Sequence, residues 1–546
     1  MMQDEPLSIA SVLEHAARIH GRVEVVSRCP EDGSVHRYTY KDALTRTKRL
    51  ANALQSLGVS RGDRVATMAW NSHRHLEAWY AISGIGAICH TVNPRLFEQQ
   101  IVYILNHARD SVLMIDVDFL PLLESIWPQL QTVIHIVILA GPDHMPATTL
   151  PNVECYEQIV AEQADAFDWP TFDETTPSSL CYTSGTTGDP KGVQYTHRSN
   201  LLHAYAINTG EAMCVSGRDV VLMTVPMFHA NSWGLAFSCP MAGAKLVLPG
   251  SKLDGASIHD WIEKERVTFS AAVPTLWNML LSHLDDQGGT IESLKEVLIG
   301  GTAVPRSMIQ TFQDRYDVQV VHAWGMTEVN PTGTMCRLAN YMHSWSDEAK
   351  LDIQVKQGKP VFGVSLKIVD DEQNELPHDG TTMGRLLIKG QWVVRRYYRS
   401  NIDAVDSEGW LDTGDIATID PDGYMQITDR AKDLVKSGGE WISSVELENI
   451  ANSHHEVELA AVIGVPDEKW QERPHLIIKR VPGSELGREE ILSVFLDRVA
   501  KWWIPEHVSF VEELPLNAAG KINKKRLREL YQSFSANRSV TPRSLN

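Results

Sequence analysis

Between Cys181 and Ser199 the chain reads CYTSGTTGDPKGVQYTHRS. Gly185 and Gly188 permit positive φ and close backbone approach, Thr183, Ser184, Thr186 and Thr187 offer hydroxyls, and Lys191 supplies a point charge. Backbone N–H groups, hydroxyls and one ammonium in a short turn suit a polyphosphate. The segment is not a Walker loop, because Pro190 stands where that motif has Gly and Gly192 where it has Ser or Thr. An exposed polar turn is the competing reading, since the same residue types favour loops.

The elements that must position such a loop come from the rest of the chain. With 546 residues it exceeds the roughly 250–300 at which one core stops growing, so at least two folding units are expected. The formal charge of −19, spread along the chain, disfavours nucleic acid and anionic membrane surfaces as partners. Seven widely spaced cysteines, without a CxxC pair or zinc-type spacing, point to a reducing compartment. The N-terminal MMQDEPLSIASVLEHAA lacks a basic segment followed by an apolar one, and no apolar run reaches the roughly 18 residues that span a bilayer, so a cytoplasmic location is expected.

Helical and strand patterns alternate. Residues 41–57 place Ala43, Leu44, Leu50, Ala51 and Leu54 on one helical face; RVATMAW at 64–70 then reads as a strand, HRHLEAWYAISG as a helix and AICHTV as a strand. VVLMTV at 220–225, AKLVLP at 244–249 and KEVLIGG at 295–301 continue the series, which predicts α/β units on a mostly parallel sheet. From about residue 360 short strands and Gly-marked turns take over, and after Asp429-Arg430 a compact mixed segment begins. The expected domains are therefore 1–430 and 431–546.

YTSGTTGDPKG at 182–192 resembles the signature loop of the adenylate-forming enzymes, the superfamily of acyl-CoA synthetases, firefly luciferases and peptide-synthetase adenylation domains. GGTAVP at 300–305, HAWGMTE at 322–328, GWLDTGDIATIDPDGY at 409–424, DRAKDLVKSGGEWISSVELE at 429–448 and NAAGKINKKRLRE at 517–529 match in the family's order, over nearly the whole chain. The resemblance implies a large N-terminal domain of stacked, mostly parallel α/β subdomains plus a β-barrel-like subdomain, with a small α+β C-terminal domain.

The resemblance also implies roles. Trp324 is the aromatic on which adenine lies, beside Gly301 and Thr302 and within the segment of His322, Ala323 and Thr327. Glu328 is the magnesium ligand, with Thr183 as companion. Asp415 and Arg430 hold the ribose, and Lys432 sits at the hinge. Lys436 and Trp441 form the face that meets nucleotide or thiol. Lys521 is the catalytic lysine, which stabilises charge developing at the α-phosphate. Ala518-Ala519 stand where many relatives carry Thr before the Gly-Lys pair, a departure that bears on how the loop is positioned.

MFHANSW at 227–233 resembles the segment before the acyl pocket in fatty-acid members, with His229 near the carboxylate and Trp233 at the pocket mouth. A lining of Trp233, Ala303, Gly325 and Met326 suits a hydrocarbon tail. The expected activity is ATP- and Mg²⁺-dependent conversion of a medium- to long-chain fatty acid to acyl-AMP and then, with coenzyme A, to acyl-CoA. The alternatives are a CoA ligase for a short acid such as 3-methylmercaptopropionate, an enzyme loading a carrier-protein thiol, and a noncatalytic nucleotide-sensing protein. Fatty-acid relatives are often dimers, which makes a homodimer the expected assembly.

Overall fold

A computed structural model describes residues 2–183, 189–437, 440–467, 469–496, 498–516 and 522–531. By packing it divides into two units, residues 1–366 with 388–411 and residues 367–387 with 412–546.

The first unit holds two sheets. One has seven strands in the order Val153–Cys155, His135–Ile138, Val112–Ile115, Arg64–Met68, Ile88–Thr91, Pro177–Tyr182 and Gly192–Thr196, all parallel except the last. The other has nine, with Gln319–Gly325, Glu296–Ile299, Phe269–Ala272, Val220–Leu222, Lys245–Leu248 and Glu24–Arg28 running parallel through its centre. Helix His73–Gly84 touches strands of both sheets and all its residues are buried, so its charged side chains are paired, Arg74 with Glu157 at 2.7 Å and Glu77 with Arg46 at 2.9 Å. Helix Tyr40–Ser56 starts where Thr39 and Asp42 exchange side-chain and backbone hydrogen bonds, a capping box, and it buries the predicted Ala43, Leu50, Ala51 and Leu54 while Leu44 is half-buried. No described helix is long and apolar enough to cross a membrane.

The second unit contains the sheet of Glu440–Ile442, Val435–Ser437, Gln471–Arg480 and Val457–Asp467, with His507–Val511 added parallel to Gln471–Arg480. It also contains most of a four-stranded sheet ordered Val364–Val369, Gly384–Gly390, Leu411–Ile419 and Met425–Arg430, which occupies the region expected to be barrel-like. The 430/431 boundary predicted from sequence thus falls inside the second unit. The physical reason is a pair of ties across it: Ser443 Oγ donates to the Thr428 carbonyl and Ser444 N–H to Asp429.

Candidate active site

Parallel strands leave their carboxyl ends on one edge, and loops there collect functional groups. At that edge of the seven-stranded sheet, Thr183 follows the strand Pro177–Tyr182. Its N–H donates to the Lys191 carbonyl at 2.9 Å, and the Lys191 N–H donates to Thr183 Oγ1 at 3.4 Å, pinning the two ends of the loop together. Ser184, Gly185, Thr186, Thr187 and Gly188, expected at the heart of the loop, lie outside the described residues.

Two tyrosines tie this loop to the turn bearing Glu328. The exposed Lys191 ammonium sits 4.9 Å from the centre of the Tyr397 ring, and the Tyr397 hydroxyl donates to Glu328 Oε1 at 2.8 Å. Tyr195, in the return strand Gly192–Thr196, donates to the Thr327 carbonyl at 2.6 Å. Burial, with the Glu328 charge beside it, raises the Tyr397 pKa well above a normal phenol, so this hydroxyl stays a donor. Glu328 itself is 8% exposed. The oxygen donors of Glu328 and Thr183 are the hard ligands Mg²⁺ prefers beside phosphates, so these residues fit that ion. The sequence reading does not single out Tyr397, which lies in RRYYRS without a motif. Tyr195 carries a weak signal, inside the quoted VQYTH stretch.

Trp324 is half-buried near the end of Gln319–Gly325. Beneath it is Gly333, on the antiparallel strand Thr332–Cys336, where an added methyl would stand 2.5 Å from the indole. A methyl at Gly325 would meet the Pro331 carbonyl oxygen at 2.1 Å. His322 is buried and its Nδ1–H donates to the Val355 carbonyl at 3.0 Å; burial lowers its pKa to about 4, so it is a neutral core group. Ala323 is buried beside it, leaving Trp324 and the backbone of this strand end as the surfaces a nucleobase could meet.

The neighbouring strand Glu296–Ile299 ends in Gly300 and Gly301, the latter at φ 85°, followed by exposed Thr302 and half-buried Ala303. A methyl on Gly300 would lie 3.3 Å from the Trp233 indole, so that ring rests on the glycine. Trp233 sits in a left-handed turn: Ala230, Asn231, Ser232 and Trp233 have φ of 37°, 61°, 54° and 53°, and Gly234 has 84°. This conformation costs a non-glycine residue about 1–2 kcal/mol, less for Asn, so the turn needs outside support. The Ser232 hydroxyl supplies part of it by donating to the Val225 carbonyl at 2.7 Å. His229 is half-buried at the start of the turn, 5.7 Å from Phe228 between ring centres. Half-buried Met326 and exposed Gly325 complete the predicted acyl-side group.

Within the second unit, Asp415 and Arg430 face each other on adjacent antiparallel strands. Their Nε–Oδ1 distance is 2.9 Å, with Asp415 almost wholly buried and Arg430 exposed. Lys432 is exposed two residues on, and exposed Lys436 is in register with Trp441. Lys521 lies outside the described residues.

A family profile described as AMP-binding enzyme matches residues 13–398, and one described as AMP-binding enzyme C-terminal domain matches residues 446–521. The chain is 48% identical over 531 residues to a 3-methylmercaptopropionyl-CoA ligase of Ruegeria lacuscaerulensis, covering 97% of this chain and 98% of that one. It is 49% identical over 532 residues to a medium-chain-fatty-acid–CoA ligase of Ectopseudomonas oleovorans, covering 97% of each. Its fold matches the crystal structure of the anthranilate CoA ligase AuaEII in complex with anthranoyl-AMP, with a TM-score of 0.85 at 26% identity, over 98% of this chain and 100% of that one.

Proposed function

The chain belongs to the AMP-binding enzyme family and is an AMP-forming acid–CoA ligase, and from that premise we propose that its acid is a medium- to long-chain fatty acid. The observation that carries this reading is the Trp233 indole laid on Gly300; with Ala303, Gly325 and Met326, assigned to the same pocket by resemblance, it would offer apolar and small groups that suit a methylene chain. His229, at the start of the same turn, is assigned to the carboxylate end by the resemblance of MFHANSW. The acid attacks the α-phosphate of ATP and pyrophosphate leaves; the thiol of coenzyme A then attacks the acyl carbon of the acyl-AMP and expels AMP, its proton going to solvent; holding reactants in line does most of the work. Thr183 and Glu328 would hold Mg²⁺, whose charge would offset that of the phosphates. Lys191 and the backbone of its loop take the phosphate oxygens, Trp324 takes adenine, and the Asp415 carboxylate, oriented by Arg430, accepts the ribose hydroxyls. A cytoplasmic location and a homodimer belong to the same reading.

The test is release of AMP and pyrophosphate with straight-chain acids from acetate to palmitate and with 3-methylmercaptopropionate. Each buried methylene is worth about 0.8 kcal/mol, roughly fourfold in kcat/KM. Efficiency is therefore expected to climb with chain length and to peak at or beyond octanoate. A maximum at 3-methylmercaptopropionate would replace the fatty acid with the short thioether acid.

The adenine surface has its own test. Gly333→Ala drives a methyl into the Trp324 ring, and base stacking on an aromatic is worth about 1–3 kcal/mol. The KM for ATP is expected to rise about tenfold, with the KM for the acid changing much less. Equal rises in both would show that Trp324 does not carry the base.

A further inference from the structure

The left-handed turn that presents Trp233 is held by a side chain within MFHANSW to which the resemblance gives no role. Asn231 is 1% exposed and donates both amide protons, one to Asn200 Oδ1 at 2.8 Å and one to Asn330 Oδ1 at 2.6 Å. Asn200, on helix His197–Ile207, passes the connection on, donating to Ser178 Oγ at 3.0 Å and Ser179 Oγ at 3.2 Å in the strand that leads into the 183–191 loop. Asn330 follows the Thr327–Val329 turn of Glu328, and its own N–H donates to the Thr327 carbonyl at 3.3 Å. Asn200 and Asn330 are also 1% exposed. A primary amide has two protons, and here they join two otherwise separate segments.

Accepting the acyl-side reading of Trp233, we infer that Asn231 is a positioning residue, a three-way joint that fixes the acyl wall, the Glu328 turn and the strand beneath the phosphate loop in one geometry. Three observations bear on this. Asn is the residue type that tolerates left-handed φ, so position 231 can serve the turn with its backbone while its side chain serves the joint. Each of the three amides is 1% exposed, so an acceptor that loses its donor loses a buried hydrogen bond away from bulk solvent. Gly234, which ends the turn, is closed against His203 and Ile207, each 2.7 Å from an added methyl, so the turn has little room to shift in that direction.

The role separates from mere folding by choosing variants that keep the backbone. Asn231→Gly accepts the left-handed φ but removes both donors, and Asn330→Gly, at φ 63°, removes one acceptor. With the acid that the native enzyme uses best, Asn231→Gly is expected to lower kcat/KM about tenfold or more both for the acid at saturating ATP and for ATP at saturating acid. Asn330→Gly should lower mainly the ATP value. The double variant should be no worse for ATP than Asn231→Gly alone, because both changes cut the same link. Unchanged efficiency in Asn231→Gly at a temperature where it is folded, or fully additive losses in the double variant, would overturn the joint. Because the acid is chosen by the native enzyme's own profile, an error about chain length would appear there and leave this comparison intact.

Discussion

Replacing Lys521 by alanine is expected to slow acyl-adenylate formation by roughly 10²–10³-fold, the range seen when one preorganised donor to developing charge is removed, while conversion of a supplied acyl-adenylate to acyl-CoA changes little. The residues on either side support this assignment. Leu516 and Ile522 form an isolated β-bridge, and the Asn523 N–H donates to the Pro515 carbonyl at 2.7 Å, so the chain closes on itself at the base of the segment that bears Lys521. Three residues further on, the half-buried Lys524 ammonium lies 2.8 Å from Glu448 Oε1 and donates to Ser444 Oγ at 2.6 Å. Burial disfavours that charge, yet Glu448, Asp429 and Asp433 together raise its pKa, so Lys524 stays protonated as an anchor. A fixed anchor three residues after Lys521 is compatible with delivering one ammonium to a set place. Rapid-quench measurement of the two half-reactions checks the prediction; equal loss in both would mean that Lys521 supports folding or CoA binding instead of phosphate chemistry.

The alternation of helix and strand was legible because each element announces itself locally. His73–Gly84 forms the predicted helix, and Ile88–Thr91 and Glu296–Ile299 are strands inside the predicted runs. What the chain does not announce is packing between distant segments. Gly333 matters because an indole nine residues away lies on it, and Asn231 because two acceptors 31 and 99 residues away converge there. The change of texture at residue 430 marks a change in local pattern, whereas packing groups the chain by ties such as Ser444 N–H to Asp429, which run across that point. Trp324, Glu328 and Asp415 could be proposed from sequence since each sits in a contiguous motif; Tyr397 could not, because its partners Lys191 and Glu328 come from elsewhere in the chain.

Mild acid should weaken this fold through buried histidines, before its ordinary surface carboxylates titrate. His75, His197 and His322 have pKa values lowered to about 4, and His203 to about 3, chiefly by burial. Two are also locked as acceptors: His197 Nδ1 receives the Ile9 N–H at 3.1 Å, and His203 Nε2 receives the Thr332 N–H at 3.3 Å, so protonating either forfeits a backbone hydrogen bond. Above pH 6.5 these imidazoles are neutral folded or unfolded and leave stability independent of pH. As pH falls below 6.5 the unfolded chain takes up protons that the folded chain refuses, and stability drops until the folded values near 4 are reached. At pH 5 each group costs about 2 kcal/mol, and four of them approach the whole stability of an ordinary domain, about 5–15 kcal/mol. The urea midpoint is therefore expected to fall steeply between pH 6.5 and 5, with a slope of several protons, and His203→Gln, which can still offer an acceptor to Thr332, should remove about one proton from that slope. A midpoint that stays level across this window would mean that the buried imidazoles find room to charge, and that the close packing around His203 opens more readily than its geometry implies.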